Sequence, residues 1–127
     1  MLARYPCQKS PRLPIPDYSI DYMYPVGYNF YIIEIRKTDV FAAWLDNLRD
    51  IRARARILVR IERLAAENLG DVKPVAEGVS ELRINYGPGY RVYFIKRGRE
   101  LVILLAGGDK STQDRDIKTA LRLARNL

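Results

Sequence analysis

Residues Ser80–Gly98 read SELRINYGPGYRVYFIKRG, and this stretch decides the fold. Glu81 to Tyr86 alternates, with Leu82, Ile84 and Tyr86 on one face and Glu81, Arg83 and Asn85 on the other. Gly87-Pro88-Gly89 is a tight-turn sequence. Tyr90 to Ile95 alternates again, setting Tyr90, Val92 and Phe94 against Arg91, Tyr93 and Ile95. Two alternating runs around a glycine turn predict an antiparallel hairpin. Lys96-Arg97-Gly98-Arg99 supplies the next loop, and Leu101 to Leu105 is apolar at every position. That predicts an interior strand covered on both sides, ended by Gly107-Gly108.

Toward the C-terminus, Ser111 with Asp114 has the spacing of a capping box. It is expected to open a helix whose apolar stripe is Ile117, Ala120, Leu121 and Ala124, with Arg122 and Arg125 at the end where the dipole favours cations. Toward the N-terminus, Phe30 to Ile35 is an aromatic and β-branched run that predicts a strand. Thr38 follows as an N-cap, with Phe41, Trp44, Leu45 and Leu48 at helical spacing. Asp50 is expected to cap a second helix reaching Asn68 and closed by Gly70. On that helix Ile51, Ala55, Leu58, Ile61, Ala65 and Leu69 gather on one side, with Arg49, Arg52, Arg56, Arg60 and Arg63 opposite. Arg54 and Glu62 depart from the pattern. The arginine arc reads either as a phosphate-facing rail for RNA or as a solvated helix face. The expected order is β-α-α-β-β-β-α: an α+β fold with an N-terminal helical hairpin and a C-terminal helix on a small, mainly antiparallel sheet.

Residues 1–28 differ from this pattern. They hold five of the seven prolines and five of the nine tyrosines, a density that blocks helices and central strands. They are read as an extended Pro/Tyr-rich tail ahead of a domain spanning 29–127, with Met23 as a candidate alternative start.

The composition narrows the chemistry. In 127 residues, 22 Lys and Arg against 15 Asp and Glu give +7, which favours a polyanionic partner, although solubility alone would also account for it. There is no His, so imidazole catalysis and Ser-His-Asp triads are excluded within this chain, and the single Cys7 makes no internal disulfide. The longest apolar run, Leu101–Ala106, is far short of a membrane span, and Pro, Tyr and charge interrupt any apolar leader in the N-terminal stretch, so the expected location is cytoplasmic. Gly87-Pro88-Gly89 lacks the Lys-Ser/Thr of a phosphate loop, and no carboxylate cluster suggests a metal or other cofactor. What remains is a basic and aromatic sheet surface on which Arg83, Arg91 and Tyr93 are expected to share one face, with Lys110 near the same sheet end. Two guanidiniums, an ammonium and a phenol suit a reacting phosphodiester, whose transition state gains negative charge. Each cation could equally be solvated, or paired with Glu81 or Glu100.

The stretches SELRINYGPGYRVYFIKRG (Ser80–Gly98) and LLAGGDKSTQDRDI (Leu104–Ile117) together resemble RelE-like toxins, most closely the HigB-like branch of addiction-module killer proteins. The resemblance runs from about Asn29 to the C-terminus. It implies a RelE-like fold and a metal-independent endoribonuclease that cuts messenger RNA on the translating ribosome. It also implies a neutralising helix-turn-helix antitoxin as partner. Carried onto this chain, the arginine of the Gly-Tyr-Arg turn is Arg91, a basic residue of the preceding strand is Arg83, and the basic residue after the third strand is Lys110. Gln113 falls where relatives place further active-site groups. A ParE-like gyrase poison and a non-catalytic nucleic-acid-binding module are the alternatives, and the absence of His leaves the general base to Tyr93, Lys110 or Asp114 with a shifted pKa.

Overall fold

The structure, a computed structural model, describes residues 2–4 and 33–127. Strand β1 (Leu2–Arg4) pairs antiparallel with β2 (Glu34–Thr38). Two helices follow, α1 (Asp39–Asp46) and α2 (Ile51–Ala65), then the strands β3 (Val72–Ala76), β4 (Val79–Ile84), β5 (Tyr90–Arg97) and β6 (Leu101–Asp109). A single 3-10 turn, Lys110–Thr112, leads into α3 (Gln113–Arg125). The six strands lie in the order β1-β2-β6-β5-β4-β3, antiparallel except for the β2–β6 pair. The expected α+β architecture is therefore present, and it is compatible with a RelE-like fold. The reading of residues 1–28 as a tail lies outside the described residues except at Leu2–Arg4, which form an edge strand.

Helices cover both faces of the sheet. Phe41 and Leu45 of α1 and Ala53, Ile57, Ile61 and Leu64 of α2 pack against Leu82, Val92, Phe94, Val102 and Leu104. On the other face, Tyr93, Ile95, Ile103, Leu105 and Ala106 meet Ile117, Ala120, Leu121 and Ala124 of α3. The expectation that Leu101–Leu105 is buried from both sides holds. A register shift between Tyr93 and Phe94 pairs them with Ala106 and Leu104, so Leu105 is the extra residue of a bulge.

Thr38 caps α1 as expected: its Oγ1 accepts from Phe41 N at 3.1 Å and donates to Leu105 O at 2.7 Å. Asp50 caps α2, accepting from Arg52 N at 3.0 Å and Ala53 N at 3.2 Å.

Among the described residues the first strand is Glu34–Thr38, and the part of the expected strand at 30–32 lies outside them. Five sequence expectations need correction. Helix α2 stops at Ala65, because Glu67 turns to φ 64°. Its buried face is Ala53, Ile57, Ile61, Leu64 and Ala65, about 100° around the wheel from the expected one. Ile51 is consequently 75% exposed and Val59 44%. The sheet also holds a strand that the expected order lacks, β3; it contains Pro74, and as an edge strand it tolerates the missing N–H. Finally, Gly107 and Gly108 do not end β6, and the capping box is made by Asp109 and Thr112 rather than Ser111 and Asp114.

The two glycines have packing roles. A Cβ at Gly107 would run into the Trp44 ring, and one at Gly108 would run into the Asp116 carboxylate. Gly107→Ala is expected to lower the free energy of unfolding by about 1–3 kcal/mol through overpacking, measured by urea denaturation.

Candidate active site

The β4–β5 hairpin positions the cationic side chains. Arg83 and Arg91 are direct cross-strand partners, as are Glu81 and Tyr93. The turn closes through Gly89 N donating to Tyr86 O at 3.1 Å, with Gly87 at φ 57° and Gly89 at φ 83°, a region that favours glycine. The end of β6 then brings Lys110 alongside: a Cβ at Gly89 would lie 3.3 Å from Arg91 Nη1 and 3.7 Å from Lys110 Cβ. The result is a cleft of ≈ 380 Å³ lined by Asp71, Arg83, Asn85, Gly89, Arg91 and Lys110. Three of the four charged residues on its wall are cations.

Each cation is held differently. Arg91 Nη1 donates to Gly89 O at 2.9 Å, and Arg91 Nε lies 3.2 Å from Glu81 Oε2. That second contact is an ion pair without hydrogen-bond alignment, since neither atom has a hydrogen-bond partner among the described residues. The Glu81 side chain is only 3% exposed, and its other oxygen accepts from Gln113 Nε2 at 2.9 Å. A chain of contacts thus runs from α3 through Gln113 and Glu81 to Arg91. Arg83 pairs with Asp71 at 3.3 Å on the open side of the cleft. Lys110 is exposed, with no ion pair or hydrogen bond among the described residues.

Three sequence expectations change here. Tyr93 does not share an open surface with the arginines; it is fully buried beneath α3, and its hydroxyl has no hydrogen-bond partner among the described residues. Burial, reinforced by the nearby Glu81 charge, pushes its phenol well above the usual tyrosine range, the wrong direction for a base. Gln113 is turned toward Glu81 rather than outward. Arg60 does not stand free in the arginine arc: Nη1 donates to Arg83 O at 2.5 Å, and Nη2 to Leu69 O at 3.3 Å. Arg52, Arg56 and Arg63 line an adjoining groove along α2. Glu81 entered the sequence reading only as a partner that could neutralise a cation; an acid inside an alternating strand, in register with Tyr93, was its available signal.

Fold and cleft together define a small α+β protein with a basic cleft beside a hairpin turn. The chain belongs to the family described as "Phage derived protein Gp49-like (DUF891)", whose model matches residues 43–127. This is a RelE-like, addiction-module toxin-like family, and it points to an antitoxin as partner. An uncharacterized protein of Haemophilus influenzae is 54% identical over 95 residues, covering 75% of this chain and 96% of the relative. No helix among the described residues is long and apolar enough to cross a membrane.

Two measurements probe the buried side of the cleft. Glu81→Ala leaves the Arg91 guanidinium without its countercharge and is expected to cost about 3–5 kcal/mol of stability. Gln113→Ala removes one hydrogen bond and is expected to cost about 1 kcal/mol, both read by urea unfolding. Because the folded pKa of Tyr93 is raised, the neutral phenol is favoured by folding. Its contribution is fully present below the unfolded value near pH ~10 and is lost as pH climbs toward the folded value. Unfolding midpoints between pH 8 and 11 are expected to fall less steeply in Tyr93→Phe than in the wild type.

Proposed function

We propose that this protein is the toxin of a toxin–antitoxin pair, of the HigB-like kind, and that it cleaves messenger RNA on the translating ribosome without a metal. A helix-turn-helix antitoxin encoded with it would keep it inactive. The observation that carries the reading is the convergence of Arg83, Arg91 and Lys110 on one cleft, with Arg91 held from behind by a buried carboxylate.

In this reading the RNA phosphate sits between Arg91 and Lys110, and the neighbouring 2′-hydroxyl attacks it. A cyclic phosphate and a 5′-hydroxyl are left. Arg91 and Arg83 stabilise the charge that builds on the phosphoryl oxygens, and Lys110 binds the phosphate or protonates the leaving oxygen. Fixed donors aimed at developing charge act without reorganising during the reaction. Tyr93 takes no proton, because burial keeps its phenol neutral. The attacking hydroxyl instead loses its proton to water or to a group of the ribosome, and much of the rate comes from positioning.

Primer extension on an abundant transcript tests this, in cells induced for the wild type, Arg91→Ala or Lys110→Ala. New 5′ ends inside the reading frame are expected with the wild type. Each variant is expected to weaken them by roughly 100-fold, the scale of one lost transition-state donor. Lys110 is the cleaner test, since its exposed side chain makes no ion pair or hydrogen bond among the described residues. Full toxicity and full cleavage in both variants would overturn the assignment. Intact transcripts with a DNA-damage response would point to gyrase instead.

A further inference from the structure

Beside the cleft lies a second depression of ≈ 460 Å³, between α2 and the end of β4. Ile84 and Asn85 line both, so the two form one trough. Its chemistry changes along its length. The cleft presents glycines and cations, whereas the second groove has Ala55, Val59 and Ile84 among its walls and Arg52, Arg56 and Arg63 around them.

A continuous phosphate rail along α2 does not fit this arrangement. Arg60 sits among those arginines but is committed to main-chain carbonyls. Apolar walls also offer a phosphodiester nothing in exchange for its lost water. A nucleobase has the complementary character: apolar faces and a polar edge. Unpaired bases in single strands are held by stacking on aromatic rings or guanidinium planes and by hydrogen bonds at their edges. The groove contains both elements. The Arg56 guanidinium carbon lies 4.5 Å from the centroid of the Tyr86 ring, which steadies an exposed charged group against a half-buried ring. Asn85, at the junction, brings an amide with both a donor and an acceptor.

We propose that the α2 groove is a nucleobase subsite for single-stranded RNA, next to the phosphate held at Arg91 and Lys110. The base stacks on the Arg56 guanidinium, which the Tyr86 ring backs, Asn85 reads its edge, and Arg52 and Arg63 meet flanking phosphates. The proposal rests on the RNA reading above and adds to it the place where sequence preference arises.

The test is binding rather than cleavage. Fluorescence anisotropy of the full chain would compare an eight-nucleotide 2′-O-methyl RNA with an abasic 2′-O-methyl strand of the same length. The methyl group blocks attack by the 2′-oxygen, so binding is read alone. The wild type is expected to prefer the base-bearing strand by about 10-fold or more, the scale of one stacked base. Arg56→Lys keeps the charge and loses the plane, so it should abolish most of that preference, read as the ratio between its own base-bearing and abasic binding. Asn85→Ala should level any ranking among A, C, G and U strands.

A preference that survives unchanged in Arg56→Lys, with cleavage intact in cells, overturns the subsite and leaves the nuclease reading standing. A wild type that binds neither strand and cuts no transcript overturns both. Amide signals of Arg56 and Val59 that move with a glutamate-rich helical peptide but not with RNA would make the groove a protein-docking surface, which also overturns the subsite.

Discussion

Strand β6 is sealed on both faces, and the position of the cleft depends on that. Val102 and Leu104 face the α1–α2 layer, while Ile103 and Leu105 face α3. Its backbone pairs with β2 on one side and β5 on the other, so neither edge is open. The bulge at Leu105 turns Leu105 and Ala106 to the same side and reverses the alternation beyond them. Gly107 therefore meets Trp44 and Gly108 meets Asp116, in contacts that no larger residue could make. With that register the strand ends opposite Tyr90, and Lys110 emerges beside Gly89. A shift of one residue would carry the lysine away from Arg91 and put every core side chain on the wrong face.

The second constraint is the carboxylate behind Arg91. An ionised side chain 3% exposed is costly unless it is compensated, and Glu81 is compensated by Arg91 and Gln113. The same contacts restrict the guanidinium. With Nη1 on Gly89 O and Nε against Glu81, only Nη2 has no protein partner among the described residues. A cation held in this way on paired strands needs little rearrangement to meet an anion. Pre-organisation of this kind is what an electrostatic site requires, and it explains a buried charge pair better than stability does, since a well-packed apolar pair would be at least as stable.

Much of this was legible in the sequence, where local rules and tertiary packing agree. The hairpin was readable because alternation and a Gly-Pro-Gly turn point the same way, and β6 because no other element buries five consecutive apolar residues so simply. Thr38 and Asp50 were readable as caps because their side chains satisfy main-chain donors within three residues. The errors came where a distant partner decides. Pro74 argues against a strand until one knows that β3 is an edge. Tyr93 alternates with Arg91 on paper, yet α3 covers the inner half of that face and leaves only the end near Gly89 open. Gln113 and Glu81 are 32 positions apart, and nothing local links them.

Helix α2 shows how one such error changes a functional reading. Its sequence has two apolar arcs, and the core uses the one containing Ala53, Ile57 and Leu64. With the helix turned that way, Arg60 donates to the carbonyls of Arg83, Leu69 and Asp71. Those bonds tie α2 to the strand that carries Arg83. They also remove Arg60 from the solvent-facing charges and leave Ala55, Ile51 and Val59 uncovered beside Arg52 and Arg56. The positive charge of this chain is accordingly divided between two chemistries. At the hairpin, cations converge on a polar cleft suited to a phosphate; along α2, they border apolar surface suited to something flatter and less polar. A reading based on net charge merges the two, and the packing of one helix face separates them.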